Sequence, residues 1–168
     1  MTDADGNRIS IAWLRMPEPV DGIWQGMFCL PRVVDVQNDH IYFRVLPAIR
    51  DGFCKKTDSL VSACGECAMI RAELKEGESL EIGYKIWRQS GKVCADRTDV
   101  YPSGAKGWLH AETPQLKEGD LLEIFVDPNM IEIYANNGEY VLSQAVYGLG
   151  ETFSYEMEKK PEIYLWNE

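Results

Sequence analysis

Leu121-Leu122-Glu123-Ile124-Phe125-Val126-Asp127-Pro128-Asn129-Met130-Ile131-Glu132-Ile133-Tyr134-Ala135-Asn136-Asn137-Gly138-Glu139-Tyr140-Val141-Leu142-Ser143 is the stretch whose reading decides the fold class of this chain. Successive side chains of a strand point to opposite faces, so Leu122, Ile124 and Val126 share one face of a first strand, and Ile131, Ile133 and Ala135 share one face of a second. Asp127-Pro128-Asn129 reads as the turn between them. Asn137-Gly138 supplies the positive φ angles that a tight hairpin needs, and Tyr140 and Leu142 begin a third strand. The stretch predicts a three-stranded antiparallel meander.

The same rhythm of short apolar or alternating runs, rich in β-branched and aromatic residues and punctuated by turn residues, extends in both directions. Candidate strands cover 8–16, 24–30, 40–46, 79–87, 107–111, 121–126, 131–135, 139–146 and 162–166. The best case for a helix is 67–76, where Cys67, Ile70 and Leu74 keep helical spacing; Ala68, Ile70, Ala72 and Leu74 also alternate with Arg71 and Glu73, and the strand neighbourhood favours a strand. Before Pro31 lie two apolar strands joined by Pro17-Glu18-Pro19-Val20-Asp21-Gly22, and after Pro47-Ala48-Ile49-Arg50-Asp51-Gly52 the shorter, sandwich-like rhythm begins. No internal repeat and no low-complexity tract interrupts it.

Composition bounds the function. The chain has 168 residues, enough for a core without disulfides, and 45% are hydrophobic, with five tryptophans and eight tyrosines, so a packed globular domain is expected. A formal net charge of −10 without a basic cluster opposes the attraction that drives nucleic-acid and anionic-membrane binding, and neither partner is expected. Met1-Thr2-Asp3-Ala4-Asp5-Gly6 is acidic and polar, unlike a signal peptide or anchor, and no stretch approaches transmembrane length. Five cysteines, an odd number, in a chain without an export signal predict reduced thiols and a cytoplasmic location.

Three segments resemble the C-terminal end of a glycoside hydrolase of family 32, the group of invertases, levanases and sucrose-6-phosphate hydrolases. Ile9-Ser10-Ile11-Ala12-Trp13-Leu14 resembles the family's last propeller strands, and Trp24-Gln25-Gly26-Met27-Phe28-Cys29-Leu30-Pro31-Arg32 resembles the motif that leaves the propeller. Leu122 to Asp127, followed by Ile131-Glu132-Ile133-Tyr134 and Asn137-Gly138-Glu139, resembles the central hairpin of the C-terminal β-sandwich. The order and spacing agree over nearly the whole chain, most loosely from Arg50 to Thr113. Arg15-Met16-Pro17-Glu18-Pro19 looks more like the intracellular sucrose-6-phosphate hydrolase branch than a secreted invertase. One departure follows Leu30-Pro31-Arg32: the family usually continues with Glu-Leu, and Val33 and Val34 stand here, which puts in question any salt bridge from that position.

The resemblance implies an all-β fold: an antiparallel β-sandwich of the jelly-roll or concanavalin-like kind, residues 37–168, preceded in residues 1–36 by the last strands of a catalytic β-propeller and a linker. Retaining fructoside hydrolysis uses two carboxyl groups, one as nucleophile and one as acid/base. In the family these belong, with a sugar-gripping aspartate, to Asn-Asp-Pro-Asn, Arg-Asp-Pro and Glu-Cys motifs on the propeller, upstream of the segments matched here. No catalytic residue is therefore expected in this chain. Glu66-Cys67, Arg97-Thr98-Asp99 and Asp127-Pro128-Asn129 look like fragments of those motifs but run in the reverse order, as chance matches of two or three residues do. Trp13 matches the tryptophan that lines the family's sugar pocket from the last blade, and packing between blades explains it as readily.

Other constellations point to structure. Cys64-Gly65-Glu66-Cys67 has the spacing of a zinc knuckle or dithiol site but lacks a second close pair and a strand-to-helix context, so buried or half-buried thiols and no metal are expected; sequence distance leaves open a four-thiolate site completed by Cys54 and Cys94. His40 and His110 read as partly exposed strand histidines, and no serine lies in a nucleophile-elbow context. The expected role is scaffolding: the sandwich partners the parent enzyme's propeller, which meets sucrose or sucrose 6-phosphate, and no cofactor is implied. Two alternatives are a carbohydrate-binding module, using Tyr84, Trp87, Trp108 and Trp166, and an oligomerisation domain whose bare apolar face pairs with a second copy.

Overall fold

In the computed structural model, which describes residues 1–58, 66–117, 119–150 and 153–167, the meander forms as read and becomes one wall of a sandwich. Its strands are β12 (Leu121–Asp127), β13 (Met130–Ala135) and β14 (Tyr140–Ala145). Asp127 pairs with Met130, so Pro128-Asn129 is a two-residue connection, and the Asp127 carboxylate accepts the Asn129 N–H at 3.1 Å. The second connection differs from the tight hairpin expected at Asn137-Gly138. Ala135 pairs with Tyr140, leaving a four-residue loop in which Asn136, Asn137 and Gly138 all have positive φ. Gly138 is required twice over, by its φ of 84° and by the approach of the Phe43 backbone, whose carbonyl oxygen a Cβ would strike.

The other strands, in chain order, are β1 (Arg8–Ser10), β2 (Trp13–Leu14), β3 (Met27–Phe28), β4 (Arg32–Gln37), β5 (His40–Val45), β6 (Phe53–Thr57), β7 (Ala68–Glu73), β8 (Ser79–Glu81), β9 (Lys85–Gln89), β10 (Lys92–Asp96), β11 (His110–Glu112), β15 (Ser154–Glu156) and β16 (Glu162–Trp166). Segment 68–73 is a strand, not a helix, and 8–16 and 24–30 contract to short pairs. Segment 79–87 divides into β8 and β9 at Gly83, which has φ +81° and lies against the Gly150 backbone. Strands β4, β6, β10 and β15 lie outside the ranges read from sequence, and Pro47–Arg50 forms a single helical turn, α1, with proline at its start.

Two antiparallel sheets make the sandwich, one ordered β14-β13-β12-β7-β16-β6 and the other β11-β10-β9-β8-β15. Between them lies the main core: Ile70, Leu122, Ile124, Ile131, Ile133 and Ile163 from the six-stranded sheet meet Leu80, Ile86, Val93 and Ala95 from the other. Burial of one such side chain stabilises the fold by roughly 1.5–3 kcal/mol.

The outer face of the six-stranded sheet is covered too. Met69, Phe125 and Tyr134 point outward and pack with Val45 and Phe53, joined by the half-buried Leu30 and Ile49. The cover comes from residues 30–53, which include the β4–β5 hairpin, two strands of a three-stranded sheet ordered β1-β4-β5. The expected division between residues 36 and 37 falls inside β4. Strands β2 and β3 pair separately, Trp13 opposite Phe28.

Candidate functional site

The seam between this cover and the six-stranded sheet holds both of the buried carboxylates among the described residues. Glu132, wholly buried, alternates outward between core residues Ile131 and Ile133. Its carboxylate accepts hydrogen bonds from the Leu30 N–H at 3.0 Å, the Tyr134 hydroxyl at 3.0 Å, the Ser143 hydroxyl at 2.7 Å and the Arg32 guanidinium, with which it forms an ion pair. Arg32 also donates to the Tyr134 oxygen at 3.0 Å and the Ser143 oxygen at 2.5 Å. A carboxylate saturated in this way has no lone pair left for a substrate; its product is position, because it fixes the chain at Leu30 and Arg32. Burial, followed by the Glu132 charge, pushes the neighbouring Cys29 thiol up to about 11, and burial raises the Tyr134 phenol as well.

Glu123, one strand over, holds the other end of the seam. It accepts Arg50 at 2.5 Å and Arg71 at 3.1 Å, drawing the end of α1 onto the sheet. Beside it a cleft of about 200 Å³ is lined by Arg44, Arg50, Glu123, Tyr134 and Gly138 among others. His40 belongs to the same seam: its ring packs edge-on against Tyr42 and Tyr140, and its Nε2 lies 3.4 Å from the Glu139 carbonyl. It fastens the β4–β5 hairpin to the loop after β13. Sequence reading missed Arg32 and Glu132 as a pair, since 100 residues separate them.

Trp13 lies on β2, 58% exposed, its indole against Gly26, where a Cβ would collide with it. Its cross-strand partner Phe28 is 70% exposed, and Ile11, Ile23 and Trp24 are exposed in the same N-terminal segment. The candidate glycan-binding aromatics separate. Tyr84 is fully buried with its hydroxyl on the Gln144 amide oxygen, which removes it as a contact residue. Trp87 is half-buried and Trp166 packs against Phe53 and Gly52, whereas Trp108 is 87% exposed. Trp108 borders a groove with Arg15, Tyr101 and Lys106.

The three motif fragments do not assemble. Antiparallel pairing of β7 with β12 brings the Cys67 thiol to 3.5 Å from the Asp127 carboxylate, but Arg97 is buried elsewhere, bound to the Trp108 and Ala145 carbonyls and stacked 3.9 Å over Tyr101. Cys64 lies outside the described residues; Cys29, Cys54, Cys67 and Cys94 are free thiols. His110, read as a strand histidine, lies on β11 with its Nδ1 3.5 Å from the Asp96 carboxylate and its ring beside Trp87.

Comparison with known proteins agrees with this architecture. Residues 55–168 match the model of the family described as "Glycosyl hydrolases family 32 C terminal". A sucrose-6-phosphate hydrolase of Staphylococcus xylosus is 23% identical over 177 residues, which covers 86% of this chain and 35% of that protein. A raffinose invertase of Escherichia coli is 26% identical, covering 88% of this chain and 35% of the relative. The chain thus spans about a third of the length of these relatives. Among solved structures, a sucrose-6-phosphate hydrolase from Lactobacillus gasseri superposes with a TM-score of 0.78 at 18% identity, covering 98% of this chain and 39% of that one. A family 32 β-fructofuranosidase of Bombyx mori gives 0.68 at 18% identity, covering 98% and 39%.

Proposed function

Because the chain belongs to glycoside hydrolase family 32, as its C-terminal domain, we propose that it serves as the scaffolding part of a β-fructofuranosidase that hydrolyses sucrose 6-phosphate or sucrose. The observation that carries this reading is the way the N-terminal segment is held. Leu30 and Arg32 are locked onto the sandwich by the buried Glu132, while the paired strands before them expose the broad apolar faces of Trp13 and Phe28. Final propeller strands separated from their neighbouring blades would present such faces. The sandwich is then the anchor, the catalytic propeller is the partner, and Trp13 forms one wall of the sugar pocket.

The carboxylates best placed by burial, Glu123 and Glu132, are committed to Arg50, Arg71 and Arg32, so the nucleophile and the acid/base are assigned to the propeller. The free thiols support a cytoplasmic site of action. The purified chain is expected to release no fructose or glucose from sucrose, and no glucose 6-phosphate from sucrose 6-phosphate. Turnover by clean protein, abolished by a fructosidase inhibitor, would overturn the assignment.

A second reading, a carbohydrate-binding surface, is favoured by one feature, the nearly bare Trp108 beside its groove. Calorimetric titration with sucrose and fructans separates the two. Scaffolding predicts no heat, and the binding reading predicts saturable heat that Trp108→Ala removes.

A further inference from the structure

On the sheet that faces away from the seam, strands β10 and β11 pair at the sheet edge with Cys94 opposite Glu112 and Asp96 opposite His110. Val93 and Ala95 enter the core, so strand alternation turns Cys94, Asp96, His110 and Glu112 to the same outward face. A thiol, an imidazole and a carboxylate are thereby gathered: the ligand atoms of Cys94, His110 and Glu112 all lie within 4.8 Å of one another.

The surroundings arrange these groups further. The Thr98 N–H occupies Asp96 Oδ1 at 2.7 Å, while Asp96 Oδ2 faces His110 Nδ1 at 3.5 Å. A carboxylate on one ring nitrogen orients the imidazole and leaves Nε2 as the donor to a metal. Trp87 packs beside the ring, with centroids 5.3 Å apart, and limits its swing. Lys92 takes Glu112 Oε1 at 2.5 Å and leaves Oε2 for another partner.

We propose that Cys94, His110 and Glu112 form a binding site for a divalent transition-metal cation of the zinc class, with Asp96 as the residue that positions His110. Sulfur, nitrogen and oxygen in one set suit a borderline-soft ion and not calcium or magnesium, which take oxygen alone. Tetrahedral zinc holds its ligand atoms roughly 3.5 Å apart, as follows from its bond lengths. His110 and Glu112 are exposed and close the remaining gap by side-chain rotation, while Cys94 is buried and fixed in the sheet beneath them. As the metal–sulfur bond forms, the Cys94 thiol gives its proton to solvent. Water fills the fourth position, from the solvent side on which His110 and Glu112 are exposed. This inference is independent of the fructosidase reading and goes beyond it; the expectation of no metal rested on the Cys64–Cys67 pair.

The test titrates Co²⁺, then Zn²⁺, into the full chain. One equivalent of Co²⁺ should produce a thiolate-to-cobalt band in the near ultraviolet and quench tryptophan fluorescence, and Zn²⁺ should reverse both. The band should persist in the Cys54→Ser/Cys64→Ser/Cys67→Ser variant and vanish in Cys94→Ser and His110→Ala. It should weaken at least tenfold in affinity in Glu112→Gln, and tighten in Lys92→Ala, which removes the competing ammonium. Circular dichroism confirms that each variant is folded. Absence of a band in the unaltered chain, survival of the band in Cys94→Ser, or its loss in the triple variant overturns the proposal.

Discussion

The two sheets of the sandwich obey the same alternation but keep different company on their outer faces. Glu123 and Glu132 occupy outward positions in the six-stranded sheet and are buried against Arg50, Arg71 and Arg32. Glu81 and Glu156 occupy outward positions in the five-stranded sheet and stand in water. The difference comes from residues 30–53, which cover one sheet and leave the other solvated. A carboxylate in a strand therefore has no fixed meaning until its covering is known. The covered face spends its carboxylates on holding residues 30–53, and the open face leaves them to solvent.

Removal of one carboxylate from each face should separate the two sheets most clearly. Glu132→Ala leaves the Arg32 guanidinium buried without its charge partner and deprives the Leu30 N–H of its acceptor. Breaking a buried pair of this kind costs about 3–5 kcal/mol. Glu81→Ala should change stability by no more than about 0.5 kcal/mol, the usual range for a solvated surface position. Urea unfolding of both variants measures the contrast, and equal midpoints would mean that the cover contributes nothing to the folded state.

Glycines supply the next contrast. Gly138 and Gly77 share φ of +84°, but a Cβ on Gly77 meets open space, whereas one on Gly138 strikes the Phe43 carbonyl of the covering hairpin. Gly77→Ala should cost about 1–2 kcal/mol from backbone conformation alone. Gly138→Ala should cost roughly 2–4 kcal/mol, since displacement of the cover adds to the same backbone strain. If the two variants melt alike, the hairpin at Phe43 yields freely and the contact is not a constraint.

How far this was legible in the sequence follows from the same contrast. The meander and β16 were readable because their apolar alternation is local and Pro128-Asn129 marks the first turn, although the second connection proved longer than Asn137-Gly138 alone. Strands β6 and β10 escaped because Phe53–Thr57 is a charged edge strand and the Val93-Cys94-Ala95 centre of Lys92–Asp96 shows no apolar–polar alternation. A signal for β10 was present: Ser90-Gly91, both with positive φ, forms the two-residue turn between β9 and β10. The covered face had a signal too. Phe125 and Tyr134 interrupt the polar side of their strands, and strands buried on both faces read as near-continuous apolar runs. What covers them could not be read, because Arg32 finds Glu132 across a distance that no local pattern encodes. Trp13 became a candidate only through resemblance, and the cluster at His110 depends on a pairing of β10 with β11 that neither strand announces.

The smallest difference between the covered and open faces is kinetic. Cys29 lies buried beneath the cover, in contact with Glu132, whereas Cys54 on β6 is exposed. With its thiol pushed up to about 11 by burial, Cys29 carries little thiolate at pH 8, and reagent reaches it only when the cover opens. The sign is that of a group whose ionisation folding disfavours. Its contribution to stability is whole below the ordinary thiol value near 9 and declines as pH rises toward 11. Alkylation at pH 8 followed by mass spectrometry should therefore label Cys54 within the reagent's intrinsic time and Cys29 far more slowly. The decisive quantity is how much more slowly. Where opening is faster than labelling, protection of Cys29 equal to the global unfolding equilibrium means that cover and sandwich fold as one unit. Protection well below it means that residues 30–53 lift while the six-stranded sheet stays paired, and the seam at Glu132 is then a latch.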